Sequence, residues 1–574
     1  MGMRSRKGGD GIRAAASATS VGDGAKTHAG GGLRLGADTD RLWRLSLGLL
    51  AALALAGFVA GGFVLLLAGT GAELPVASIL GDGYLRGVVF FTLEQAALST
   101  LISVLAAIPL AAALHRARFR GRTSVLRIFL LPQALPVLVG ALAIITVWGR
   151  NGVVSDLGAA LGLPRFSIYG LEGILLAHAF FNIPLAARLM IAALDAVPRE
   201  SWRLAGQLSF SPLTTFRLVE WPAIRRALPA AASLVFMLCA TSFTIVLVLG
   251  GGPGATTLEV AIYQTLRYEF DPGRAVALSL LQIALTALVL TLATRLGSAE
   301  AGDFGLGGTA RRHDTPSRWR SLFDLAVLFA GLLFILSPFV AILVAGLKAD
   351  LVRLLTEPAV LDALVTSLWV SLSSGTLAIF LSVAILLGVE ALASAERRAV
   401  IASAIPRRGL EITASLVLVV PPVVLGAGWF LGLRQVTNVF AAAPYVVVLT
   451  NMAMAVPFAV RILGPALQDA HLRSEKLADS LGMSGLSRFR LLDWPALRRP
   501  MGLAFALSVA ISLGDLGAIA LFGNREFTTL PYLLYQRMGS YRTEDAAGLA
   551  LILGVVCLAL IWFAERSSSL GARS

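Results

Sequence analysis

Charge is scarce in this chain: only 14% of its 574 residues are Asp, Glu, Lys or Arg, against about 25% in ordinary soluble domains. That excludes a soluble globular protein. Cysteine is nearly absent, and Cys239 and Cys557 both fall in apolar stretches, so neither a disulfide framework nor a thiolate metal site is indicated. The five histidines, His28, His115, His178, His313 and His471, are scattered without ligand spacing, and metal catalysis finds no support. No Gly-Lys dipeptide occurs. The phosphate-cradling loop Gly-x-x-x-x-Gly-Lys-Ser/Thr is therefore missing, and ATP has no such seat on this chain.

Apolar residues are what the chain has instead. They make up 57% of it, with a mean hydropathy of +0.79. Stretches near the ~20 residues needed to cross a bilayer predict spans at 44–68, 88–112, 127–148, 172–196, 228–250, 277–296, 320–346, 363–390, 410–433, 441–466, 501–522 and 546–564. The expected fold is an all-α integral membrane protein with about twelve transmembrane helices. Residues 1–40, rich in Gly, Ala and Arg, read as a disordered tail, followed by an uncleaved first helix. The net charge of +14 reflects topology. Arg116, Arg118, Arg120 and Arg122 crowd one loop, Arg199, Arg203, Arg217, Arg225 and Arg226 the next on that side, and Arg311, Arg312, Arg397, Arg398, Arg407 and Arg408 follow. Arginine-rich short loops stay in the cytoplasm, so both termini are expected there. The same rule accounts for the pI near 10.6 without nucleic acid.

The chain also repeats itself. Phe216-Arg-Leu-Val-Glu-Trp221-Pro222 returns as Phe489-Arg-Leu-Leu-Asp-Trp494-Pro495, and 494 minus 221 is 273. Pro184 matches Pro457 at the same offset, Thr256-Thr-Leu matches Thr528-Thr-Leu at 272, and Leu135-Pro136-Val-Leu-Val-Gly140 resembles Pro421-Pro422-Val-Val-Leu-Gly426 at 286. Two parallel six-helix domains follow, 41–296 and 320–566, joined by a cytoplasmic linker at 297–319. Parallel repeats place a pseudo-twofold axis along the membrane normal and a pathway at their interface.

The repeated loop, roughly 30 residues long, exceeds a simple connection. Leu204, Leu208, Phe216, Leu218 and Val219 in one copy, and Leu477, Leu481, Phe489, Leu491 and Leu492 in the other, make an apolar face opposite Arg, Lys and Glu. Such a face describes short helices that dock into a groove or lie on the bilayer. Gly482 supplies a tight turn. Trp221-Pro222 and Trp494-Pro495 mark re-entry into the membrane.

At these residues the chain resembles the permeases of ATP-binding-cassette importers served by a periplasmic binding protein. Their hallmark is a cytoplasmic loop with Glu-Ala-Ala, then Gly, then Phe and Pro, forming a helix that inserts into an ATPase subunit. Here the first loop opens on Glu200; in the second, Lys476-Leu477 replaces Ala-Ala, and Glu475 and Gly482 are one residue farther apart than usual. Ser209 stands where Gly482 stands, with Gly206 three residues earlier. Two fused domains in one chain are similar to ferric-iron and thiamine importers. Ser512-Leu-Gly-Asp515-Leu-Gly through Asn524, Phe527-Thr-Thr-Leu-Pro531, and Gly250-Gly-Gly-Pro-Gly through Gln264 look like thiamine permeases. The resemblance implies two ATPase copies that use ATP and Mg, a periplasmic substrate-binding protein, no cofactor on this chain, and a place in the bacterial inner membrane.

Ionisable groups inside a membrane are candidates for function. Asp515, between Gly514 and Gly517, suits a cationic thiazolium on its route, or serves a structural hydrogen bond; its first-half counterpart is Ser242. Tyr263, Gln264, Tyr535 and Gln536 are expected on the periplasmic side, to gate the pathway, to touch the binding protein, or simply to pack. An ion-coupled secondary transporter remains an alternative, one that needs embedded carboxylates and no docking loops.

Overall fold

The computed structural model describes residues 26–68, 81–117, 121–129, 131–150, 152–162, 164–165, 167–295, 318–397, 404–418 and 420–570. Among them there is no strand. In lipid every backbone polar group needs an internal partner, which a helix provides along its own length.

The helices of the first half that matter here are α1 (Lys26–Ala68), α2 (Gly83–Arg116), α3 (Val137–Trp148), α4 (Leu171–Asp195), α5 (Arg199–Gln207), α6 (Pro212–Thr215), α7 (Trp221–Ala240), α8 (Phe243–Leu249), α9 (Leu258–Gln264) and α10 (Pro272–Arg295). Those of the second are α11 (Arg318–Lys348), α12 (Pro358–Arg397), α13 (Pro422–Val436), α14 (Val439–Ser480), α15 (Gly485–Arg488), α16 (Trp494–Leu513), α17 (Gly517–Phe522), α18 (Leu530–Gly539) and α19 (Thr543–Leu570). Eleven helices among the described residues are long and apolar enough to cross a membrane. The ninth expected span, 410–433, is divided instead: a helix over Ala404–Ser415 stops and α13 starts afresh at Pro422. Neither Pro421 nor Pro422 has an N–H to continue the ladder.

Two bundles repeat. Helices α2, α4 and α7 pack mutually, as do α12, α14 and α16. The first helix of each half crosses to the other: α1 lies against α12 and α13, and α11 against α2 and α3. The halves are interleaved, which a division at 297–319 does not convey; 297–317 itself lies outside the described residues. So do residues 1–25 of the expected tail. Helix α1 begins at Lys26, so 26–40 is helical, and Asp40 is buried against Arg44. Outward-facing Leu322, Phe323, Leu325, Phe329 and Leu333 on α11 are exposed, as a lipid face requires.

The crossing of α1 depends on small residues, which let helix backbones approach closely. A Cβ at Gly48 would lie 2.7 Å from the Cα of Gly388 on α12. One at Gly428 on α13 would lie 1.9 Å from the Gly62 carbonyl. Next to it, Trp429 stacks on Phe58, centroids 5.2 Å apart, and its indole donates to the Phe58 carbonyl at 3.2 Å. Replacing Gly428 by Leu is expected to push α1 off α13 at a cost of about 1–3 kcal/mol. It should lower the melting temperature of detergent-purified protein by several degrees. Gly57→Ala, on the same helix with open space around it, is expected to leave that temperature unchanged.

Candidate functional site

The two repeated loops fold alike. In the first, α5 ends in a reversal where Phe210 N–H reaches the Ala205 carbonyl at 3.0 Å; in the second, Met483 N–H reaches the Ala478 carbonyl at 2.9 Å. Then come α6 and α15, five-residue π-helical segments over Phe216–Glu220 and Phe489–Asp493, and re-entry at Trp221 and Trp494. Pro222 and Pro495 sit in the first turns of α7 and α16, where no N–H is needed. Phe216 packs on Trp221 at 6.2 Å and Phe489 on Trp494 at 6.4 Å.

What the loops present outward is a matched set of leucines. Leu204, Leu208, Leu213 and Leu218 are exposed, and so are Leu477, Leu481, Leu486 and Leu491. Each pair differs by 273 in number, as in 486 minus 213. Leu213 and Leu486 were not singled out in the sequence. They fall on the short helices α6 and α15, too brief for periodicity to mark; the constant offset was the available signal.

The two loops differ in detail. The turn in the first loop is made by Ser209, at φ +49°, where Gly482 has φ +63°; Gly206 lies inside α5. Glu200 and Glu475 are not equivalents, since 475 minus 273 is 202. Glu200 is exposed, whereas Glu475 is buried, accepting from Ser394 and from Arg397 Nε at 3.1 Å. Its positional counterpart is Trp202, buried against His115 at 5.3 Å. Glu475 therefore braces the loop from within. The halves also differ in continuity. Helix α14 runs unbroken into its loop, while α4 ends and α5 restarts after Pro198, at the position of His471.

Asp515 sits half-buried in the break between α16 and α17. Its carboxylate accepts from Gly517 N–H at 3.0 Å and Ala518 N–H at 3.2 Å, which caps α17. Its turn is wedged between the halves: a Cβ on Gly514 would meet Pro136 at 3.1 Å, and one on Gly517 would meet Pro422 at 3.6 Å. The two proline breaks of the sequence repeat thus flank this carboxylate.

Tyr263 is buried, edge-on to Phe243 at 5.5 Å and Tyr268 at 5.8 Å. Tyr532 and Tyr535 of the second half lie near its hydroxyl. Arg267 ties the halves here, its Nη2 donating to the Gly523 carbonyl at 3.3 Å and to the Tyr532 hydroxyl at 3.4 Å. Tyr535 and Gln264 are half-buried beside this group, and Gln536 is exposed. Glu259, which the sequence reading passed over, is buried with Oε1 3.4 Å from Gln282 Nε2. Its counterpart is Pro531, so the repeat did not mark it.

Residues 99–299 match the family described as binding-protein-dependent transport system inner membrane component. The chain is 51% identical over 523 residues to the thiamine transport system permease protein of Brucella abortus (strain 2308), covering 90% of this chain and 94% of that one. Identity is 42% over 486 residues to the protein of that name in Escherichia coli (strain K12), covering 84% and 89%. A molybdenum transport system permease protein of Mycobacterium bovis is 28% identical over 202 residues, 35% of this chain and 76% of that one. With relatives matched over nearly their whole length, this chain belongs to the family of thiamine transport system permease proteins, inner-membrane components of binding-protein-dependent transport.

Proposed function

We propose that this chain forms the translocation pathway of an ATP-driven importer for thiamine and its phosphate esters. One ATPase subunit docks on each repeated loop, and a periplasmic binding protein delivers substrate to the opposite face. The observation that carries this reading is the pair of exposed leucine sets, held in one register by identical turns and π-helical segments. Apolar side chains displayed by short amphipathic helices are what a groove on a partner takes up. Two such sets call for two partner copies. The arginine-rich loops put that face, with both termini, in the cytoplasm.

Alternating access follows from the interleaved halves. ATP binding draws the two ATPase subunits together; the docked loops follow, and the bundles rock about their interface. Arg267 and the tyrosines Tyr263, Tyr268, Tyr532 and Tyr535 bridge the halves at the periplasmic end and act as its gate. Farther in, Asp515 between the proline breaks offers a carboxylate to the thiazolium cation as it passes. Tyrosine faces on the route favour the same cation.

Uptake of radiolabelled thiamine should fall in a strain lacking the gene and return with the wild-type chain. It should not return with Leu208→Arg or Leu481→Arg, each expected to lower uptake at least about tenfold, since a charge in an apolar docking face costs over 1.4 kcal/mol. Unimpaired uptake in the deletion strain would refute the assignment.

Asp515→Asn keeps one acceptor oxygen, enough for the Gly517 N–H, gives up the second one that takes the Ala518 N–H, and discards the charge. It is expected to slow thiamine uptake several-fold at unchanged membrane abundance, while Asp515→Ala also loses the cap, worth about 1 kcal/mol. Normal uptake by the Asn variant would leave Asp515 a helix cap alone.

A further inference from the structure

Each docking loop is held by a helix that belongs to the opposite half. In the second loop the buried Asp493 carboxylate accepts from Arg44 Nη2 at 2.7 Å, and Arg44 lies on α1. In the first, the buried Glu220 accepts from Arg320 Nη2 at 3.3 Å, and Arg320 lies on α11. Glu220 and Asp493 are counterparts, since 493 minus 220 is 273. A second bond repeats the crossing. Asp40 on α1 accepts from Gly485 N–H at 2.7 Å, and Arg320 on α11 donates to the Pro212 carbonyl; 485 minus 212 is again 273. Donor and acceptor are exchanged between the two copies, yet the tethered positions are the same.

Each acid also has a partner from its own half. Arg116 on α2 donates to Glu220 at 2.7 Å, and His471 on α14 lies 2.7 Å from Asp493. Arg116 forks onto Asp324 of α11 at 2.5 and 2.7 Å, and Arg488 of the second loop reaches Asp40 at 3.4 Å. Each crossing helix thus carries one acid and one arginine four residues apart, Asp40 with Arg44 and Arg320 with Asp324. Both are engaged with groups around the opposite half's loop. Buried ion pairs are weak evidence for stability, and a fixed register is the better-attested use.

We propose that Arg44 and Arg320 are positioning residues of two crossed latches, which carry any displacement of one half's loop into the first helix of the other half. A push on either loop then moves both bundles. The inference rests on the docking reading of the loops: the latches transmit what the ATPase subunits deliver.

The test uses the whole importer, with its ATPase and binding protein, in lipid vesicles. Arg44→Gln is expected to speed amide hydrogen exchange in 485–493 about tenfold or more, as loss of a charge-assisted bond implies, and to leave 212–220 unchanged. Arg320→Gln should do the reverse. Both variants should keep the ATPase subunit bound and hydrolyse ATP, but import fewer thiamine molecules per ATP, with Arg→Lys restoring part of the yield. Should a single variant fold poorly, Arg44→Gln/Asp493→Asn removes both charges; its loss of yield should match that of Asp493→Asn alone, because the two residues act as one unit. Exchange that rises equally in both loops, or import and hydrolysis that fall in proportion, overturns the latch. A wild-type complex that sheds its ATPase would instead overturn the docking reading beneath it.

Discussion

A carboxylate shut away from water needs a cation, and that requirement organises this molecule. Glu220 and Asp493 close the Phe-Arg-Leu-x-acid core of the two loops, and both are fully buried. A lone buried charge would be very costly. Each half supplies one compensating group, Arg116 or His471, and the other half supplies an arginine. The demand for that arginine specifies which end of α1 and α11 must lie beside which loop. Glycine contacts then let α1 run on across α12 and α13. Charge sets the register, and small residues set the distance.

Much of this was written in the sequence in a form that short-range rules can read. Apolar length gave the spans, because a bilayer imposes a minimum on them. The constant offset gave the repeat, and Trp-Pro gave the points of re-entry. The interleaving was not readable. Periodicity reports which face of a helix is apolar and not which helix covers it, and nothing near Arg44 in the chain points to Asp493, 449 residues away. Segment 410–433 has the composition of a span, so hydropathy ran across a break that only proline chemistry explains.

The leading glutamate shows a different limit. Resemblance marked Glu475 by its place in a motif, while its environment is decided by Ser394 and Arg397 on another helix. Trp202 fills the matching place in the first loop by packing on His115. One position, braced by a salt bridge in one half and by an aromatic contact in the other, preserves the shape of the loop with unrelated chemistry. Ser209, which adopts the backbone conformation of Gly482, makes the same point for the turn. The leucines that project outward are the part held constant in kind.

The missing interruption in α14 has a mechanical corollary. Its 42 residues form one continuous helix, with Pro444, Pro457 and Pro465 inside it, about 60 Å long at 1.5 Å per residue, reaching from the bundle to the turn at Gly482. On the other side Pro198 inserts a joint between α4 and α5. A displacement of one loop is therefore carried by a continuous helix, and the same displacement of the other meets a break at Pro198, so the two halves yield differently to one stroke.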